Sequence, residues 1–261
     1  MAELLPWQYA LIGLVFVWSG FVRSGLGFGG AVLALPFLLL VLNKPLVFLP
    51  IISIHLLIFS SWIAFKGWRE RKSQDVAGSN IDWHYLGQSM KVMIIPKLVG
   101  VFGLLTLPAE ILSSIIFVIV IVYAIGYVLN RPFRSKRPWM DNLFLALGGY
   151  VSGTSLIGAP LIVAVYASHV AKHQLRDTLF VLWFILVAIK MVSFMIAGVD
   201  LQLIHQLWLL PCAFIGHLIG ERFHRYIISN ETPLFFRVLG SVLIAVSVVG
   251  ILRQFALFIQ A

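Results

Sequence analysis

Runs of roughly twenty apolar residues, separated by short polar turns, recur from one end of this 261-residue chain to the other. Twenty is about the number an α-helix needs to cross a bilayer. Plain apolar spans lie at about 46–65, 85–105, 109–129, 178–198, 205–220 and 234–258, and glycine-interrupted segments at about 8–42 and 143–168. Composition supports a lipid setting: 61% of residues are hydrophobic and 11% charged, against about 45–50% and about 25% in soluble domains. Surface-to-volume scaling limits the apolar surface that a soluble chain of this length can bury, so the excess is expected to face lipid. The reading is a single all-α integral membrane domain, multi-pass in a cell membrane (the inner one in a Gram-negative cell).

The balance of 19 Lys+Arg against 10 Asp+Glu would raise nucleic-acid binding in a soluble chain. Here the charges sit mostly in short loops, where they set orientation, and no nucleic-acid partner is expected. Cys212 is the one cysteine and lies inside an apolar span, which excludes an intrachain disulfide. The segment before Ala10 carries Glu3 and no Lys or Arg, unlike the start of a cleaved signal peptide. The first hydrophobic segment is therefore expected to stay.

The two halves resemble each other in order. Residues 1–130 form a first membrane repeat, 131–142 a basic cytoplasmic linker, and 143–261 a second repeat. Each repeat opens on a glycine-rich break, Ser24-Gly25-Leu26-Gly27-Phe28-Gly29-Gly30 in one and Ser152-Gly153-Thr154-Ser155-Leu156-Ile157-Gly158-Ala159-Pro160 in the other. A plain span follows, then one with Pro and spaced glycines: Pro96, Gly100 and Gly103 against Pro211, Gly216 and Gly220. Interrupted helices in matching places point to a transporter binding site, although glycines also serve close helix packing.

The first segment is too long for one crossing, at roughly 50 Å as a helix against a hydrocarbon core of about 30 Å. A re-entrant hairpin of two half-helices turning at the glycines fits better. Charge supports it. Arg23, Lys91, Lys97 and Lys190 fall inside spans, leaving 15 basic residues to assign. If each glycine segment crosses once, they divide 9 to 6, with Lys44 and Arg253 on opposite sides. If each is a hairpin, Lys44 and Arg253 stand together opposite the other 13, the asymmetry that cytoplasmic loops prefer. Three further spans per half make the repeats inverted, with about eight hydrophobic segments in all and both termini extracytoplasmic.

At each break a half-helix begins with unpaired N–H groups and the positive end of its dipole. Gly25, Gly27, Gly29, Gly30, Gly153 and Gly158 would let an anion approach that backbone, and Ser24, Ser152, Thr154 and Ser155 would add hydroxyl donors. Arg23, Lys97 and Lys190 are charges that cost about 3 kcal/mol or more at bilayer depth unless they face protein or water. All ten acids fall in loops or at span ends. The interior is thus net positive, which favours an anionic substrate bound at the midplane between the two breaks. His55, mid-span, is the candidate for proton coupling. His169 and His173 flank Lys172 without an acid or cysteine at ligand spacing, so no metal site is expected, and no cofactor or catalytic residue. A homo-oligomer is left open.

The paired segments Ser24 to Gly30 through Pro36 and Ser152-Gly153 through Gly158-Ala159-Pro160 resemble the TauE/SafE sulfite-exporter family of membrane permeases. Leu175-Arg176-Asp177-Thr178 is similar to the family's Leu-Arg-Gly-Thr, and Gly216 to Gly220 to its spaced glycines. The resemblance implies a secondary transporter exporting sulfite or an organosulfonate such as sulfoacetate. The chain departs from the pattern at Arg23, Asp177, Thr154 and Ser155. Alternatives are another small anion, uptake in place of export, an intramembrane enzyme, or a structural membrane subunit.

Overall fold

A computed structural model describes residues 4–26, 30–73, 79–130, 137–228 and 233–260, and among them every regular element is an α-helix. In chain order these are α1 (Pro6–Leu26), α2 (Gly30–Val41), α3 (Pro45–Ser73), α4 (Trp83–Thr106) and α5 (Ala109–Val128), then α6 (Pro138–Ser155), α7 (Ala159–His169), α8 (Lys172–Ile196), α9 (Leu203–Ile228) and α10 (Pro233–Gln260). Six of them (α3, α4, α5, α8, α9 and α10) hold a stretch long and apolar enough to cross a membrane. The protein is a multi-pass membrane protein. Exposed Leu207, Ile196 and Phe102 form part of the surface that lipid would cover. Trp7, Trp83 and Trp139, exposed at the starts of α1, α4 and α6, suit the interfacial belt.

Four helices start on proline: Pro6, Pro45, Pro138 and Pro233. The ring fixes φ near its helical value and lacks an N–H that would go unbonded there anyway. Arg137 is extended, with φ −143° and ψ 144°, as clash with the following ring requires. Helix α6 thus begins inside the 131–142 stretch read as linker. Helices α3 and α9 run past the apolar spans, to Ser73 and Ile228. Hydropathy falls where lipid contact ends, whereas Lys, Arg and Glu continue a helix readily.

Each glycine segment is an antiparallel hairpin. In the first, the Ser19 hydroxyl donates to the Gly30 carbonyl (3.2 Å) and the Gln8 amide to the Val41 carbonyl (3.4 Å). Moving eleven positions back on one arm matches eleven forward on the other. In the second, Gly148 faces Ile162 and His169 pairs with Asp141 at 2.9 Å, a match of seven positions on each arm. The arms are unequal, 21 and 12 residues in the first and 18 and 11 in the second. At 1.5 Å per residue the first arms reach roughly 31 and 27 Å and the second arms about half that. The two-half-helix picture therefore holds for α2 and α7 only.

Two compact units emerge, and neither is a contiguous half. One comprises residues 1–51, 106–132 and 201–261, the other 52–105 and 133–200. In the first unit α1 lies parallel to α9: Val17 meets Gly216 and Phe21 meets Gly220. Helices α5 and α10 run antiparallel, Gly240 against Ala124 and Gly250 against Phe117. At one end of this unit Arg253 donates to the Leu40 carbonyl (2.6 Å), and Asn43 bonds Gln254 (2.9 Å) and Ser113 (2.5 Å).

In the second unit α4 lies parallel to α6, with Met93 against Gly149 and Lys97 against Gly153. Its core joins Leu86 and Met93 of α4, Leu145 of α6, Ile162 and Val165 of α7, and Leu182 of α8. At one end the Gln174 amide donates to the Ser79 carbonyl (2.8 Å) and the Asp82 N–H to the Thr178 hydroxyl (3.0 Å).

Candidate functional site

The break of the second unit is the better described of the two. Helix α6 ends in Ser152-Gly153-Thr154-Ser155, all buried. The chain then turns through Leu156, which takes a left-handed φ of 63° and returns its N–H to the Ser152 carbonyl. A bulky residue rarely adopts that conformation, so the turn is held by its surroundings. Gly158 precedes the first turn of α7, and Pro160 in that turn offers no N–H. The donors left at this helix start are those of Gly158, Ala159 and Leu161.

Three of the expected residues meet here. Lys97, fully buried on α4, donates from Nζ to both the Ser152 carbonyl and the Ser152 hydroxyl, each at 3.0 Å. The ammonium therefore sits on the carbonyl end of α6, where the helix dipole is negative. Lys190 of α8 is also fully buried and lies near enough to Lys97 for the two charges to repel. Among the described residues its Nζ has no hydrogen-bond partner, and no carboxylate pairs with either lysine.

The hydroxyls and glycines behave differently from the expectation. Thr154 and Ser155 donate to the Val151 carbonyl of their own helix, at 3.1 and 3.0 Å, and would have to rotate to reach an anion. A β-carbon at Gly153 would overlap the Lys97 carbonyl and one at Gly158 the Gly148 carbonyl. Helix packing accounts for both glycines.

In the first unit Arg23 and Ser24 lie in the last turns of α1, and Arg23 is buried. The Ser24 hydroxyl donates to the His217 carbonyl of α9 at 2.8 Å. A β-carbon at Gly30 would lie 3.0 Å from the Ser19 carbonyl and 3.3 Å from Arg23 Cβ, so this glycine too serves packing. Gly25 falls in the last turn of α1, while Gly27 and Gly29 lie outside the described residues. His55 is buried in the part of α3 that belongs to the second unit.

Two contacts have no counterpart among the residues expected from sequence. Asp141 reaches His169 across 28 positions and closes the mouth of the second hairpin; no spacing rule finds such a pair. Glu221, read as a span-end acid, continues helix α9 and lies 3.5 Å from buried His217. Their four-residue separation on a helix was the available signal.

The family model described as "Sulfite exporter TauE/SafE" matches residues 11–250, nearly the whole chain. No curated protein and no solved structure matches it.

Proposed function

The chain belongs to the sulfite exporter TauE/SafE family, and from that premise we propose that it carries sulfite or a small organosulfonate, such as sulfoacetate, across a cell membrane without chemical conversion. One observation carries the anionic reading: Lys97 and Lys190 are fully buried together in the second unit with no carboxylate paired to them among the described residues. Moving an ion out of water costs several kcal/mol even after relaxation. An anion that joins them supplies the counter-charge that this interior lacks among the described residues. The Ser152 hydroxyl and the N–H groups at the start of α7 are donors of the kind that a sulfonate or sulfite oxygen accepts.

Contacts at the helix ends support inverted repeats. Were each hairpin a single crossing, Lys44 and Arg253 would stand on opposite sides of the membrane, as would Ser79 and the start of α8. Within the first unit, however, Arg253 bonds Leu40 and Gln254 bonds Asn43. Within the second, Gln174 bonds Ser79. The corresponding helices α5 and α10 run antiparallel, as inverted repeats require and parallel ones forbid. With the basic loops cytoplasmic, both termini are proposed to face outward.

The test is thermal stabilisation of the purified full chain by sulfite, sulfate, sulfoacetate, taurine and isethionate in turn. Sulfite or a sulfonate at a hundred times its dissociation constant should add about 2.7 kcal/mol. Zwitterionic taurine should add less than sulfoacetate. Equal shifts from all five, or none, would remove the anion reading.

A further inference from the structure

We infer that Lys190 carries a proton across the membrane together with the anion. This rests on the anion-transport reading above and adds its coupling. The ground is the contrast between two lysines in one interior. Lys97 spends its ammonium on the Ser152 carbonyl and hydroxyl at the carbonyl end of α6, a fixed site for positive charge. Lys190, equally buried, has no acceptor at its Nζ among the described residues. A buried ammonium needs a counter-charge or hydrogen-bond acceptors. An arriving anion supplies both acceptors and charge.

The groups around Lys190 leave it that role. Lys97 of α4 is the charged group acting on it. On its own helix, Lys172, His173, Arg176 and Asp177 lie thirteen or more positions back, roughly 20 Å along the axis. The carboxylates of Asp82 and Asp141 gather at Tyr85, twelve positions before Lys97 and about 18 Å along α4. Tyr166 of α7 bonds Ser89, and His169 pairs with Asp141. His55 of α3 is the other buried titratable side chain of this unit to be tested.

The cycle balances simply. The free amine of Lys190 takes one H⁺ from the side on which the anion enters, and the ammonium returns that H⁺ to water where the anion leaves. No covalent bond to the anion forms. Transport would thus be anion–proton symport, driven inward or outward by the proton gradient and the anion gradient together.

Proton uptake can be counted by calorimetric titration of the purified full chain with sulfoacetate and with sulfite, in buffers of different ionisation enthalpy at pH 8. Sulfoacetate does not change its own charge near that pH, so its count reports on the protein. The wild type is expected to take up about one proton per anion bound. Lys190→Met should bind either probe about tenfold or more weakly and take up close to none, while His55→Gln keeps the wild-type count. Should Lys190→Met be unstable, Lys190→Gln gives the same readout. Binding without proton uptake in the wild type, or an undiminished count in both Lys190 variants, overturns the inference and leaves anion transport standing. Loss of the count in His55→Gln alone moves the role to His55 and also overturns it. If neither probe binds the wild type, the transport reading fails and takes this inference with it.

Discussion

A buried cation takes its meaning from what surrounds its tip, and Lys97 and Lys190 are the same residue in two different situations. Lys97 rests on helix carbonyls, which makes it part of the scaffold of the second break as well as a source of positive potential. Lys190 has no acceptor among the described residues, which is the ground for its proposed response to a ligand. Ser24 likewise acts as a clasp, its hydroxyl fastened to the His217 carbonyl on the neighbouring helix. Ser24→Ala should lower the unfolding free energy by about 1 kcal/mol, the worth of one ordinary hydrogen bond. A denaturation midpoint measured on the purified variant checks it; an unchanged midpoint would return Ser24 to the role of anion donor.

Between helices, glycine is what permits backbones to touch. A β-carbon at Gly216 would overlap the Val17 carbonyl, and one at Gly20 the Ala213 carbonyl, so α1 and α9 approach at backbone distance. Gly100, Gly149 and Gly153 do the same for α4 and α6. Small-residue seams of this kind replace the hydrophobic driving force that is absent between helices in lipid. Gly216→Val forces bulk into backbone with no flexible side chain to yield, and should cost about 3 kcal/mol or more. Gly87, which has open space around its α-carbon, is the control: Gly87→Ala should be neutral or gain up to about 1 kcal/mol from helix propensity. Thermal melting of the two variants side by side distinguishes a packing seam from a general intolerance of substitution.

On the scale of the whole chain, each compact unit takes its hairpin from one half and a long helix from the other: α1 with α9, and α6 with α4. The halves are therefore exchanged rather than set side by side, and neither 1–130 nor 143–261 is expected to fold when expressed alone. Co-expression of the two fragments should restore the protein; stable, soluble recovery of either one in detergent would contradict this. Sidedness is checked by single cysteines after Cys212 is replaced. Lys44→Cys and Arg253→Cys should react together with an impermeant reagent applied to intact cells, and Ser79→Cys and Lys172→Cys should not. Reaction of Lys44→Cys without Arg253→Cys would exclude the inverted arrangement.

The membrane class, the six long spans, the two hairpins and the family resemblance are all legible in the order of residues. Each is written in local composition: twenty apolar residues, a glycine cluster, a proline at a helix start. Of the four cations that fall inside spans, Arg23, Lys97 and Lys190 are buried and Lys91, near the start of α4, is exposed. What the buried ones touch follows from helix packing. Lys97 meets Ser152 from 55 positions away and His169 meets Asp141 from 28, and such pairings depend on how helices pack rather than on any repeat along the chain. The same is true of the glycines. Residues 153 and 158 read as openings for a ligand, and the structure adds that each faces a neighbouring backbone; a missing side chain looks alike in sequence whether an anion or a backbone fills its place.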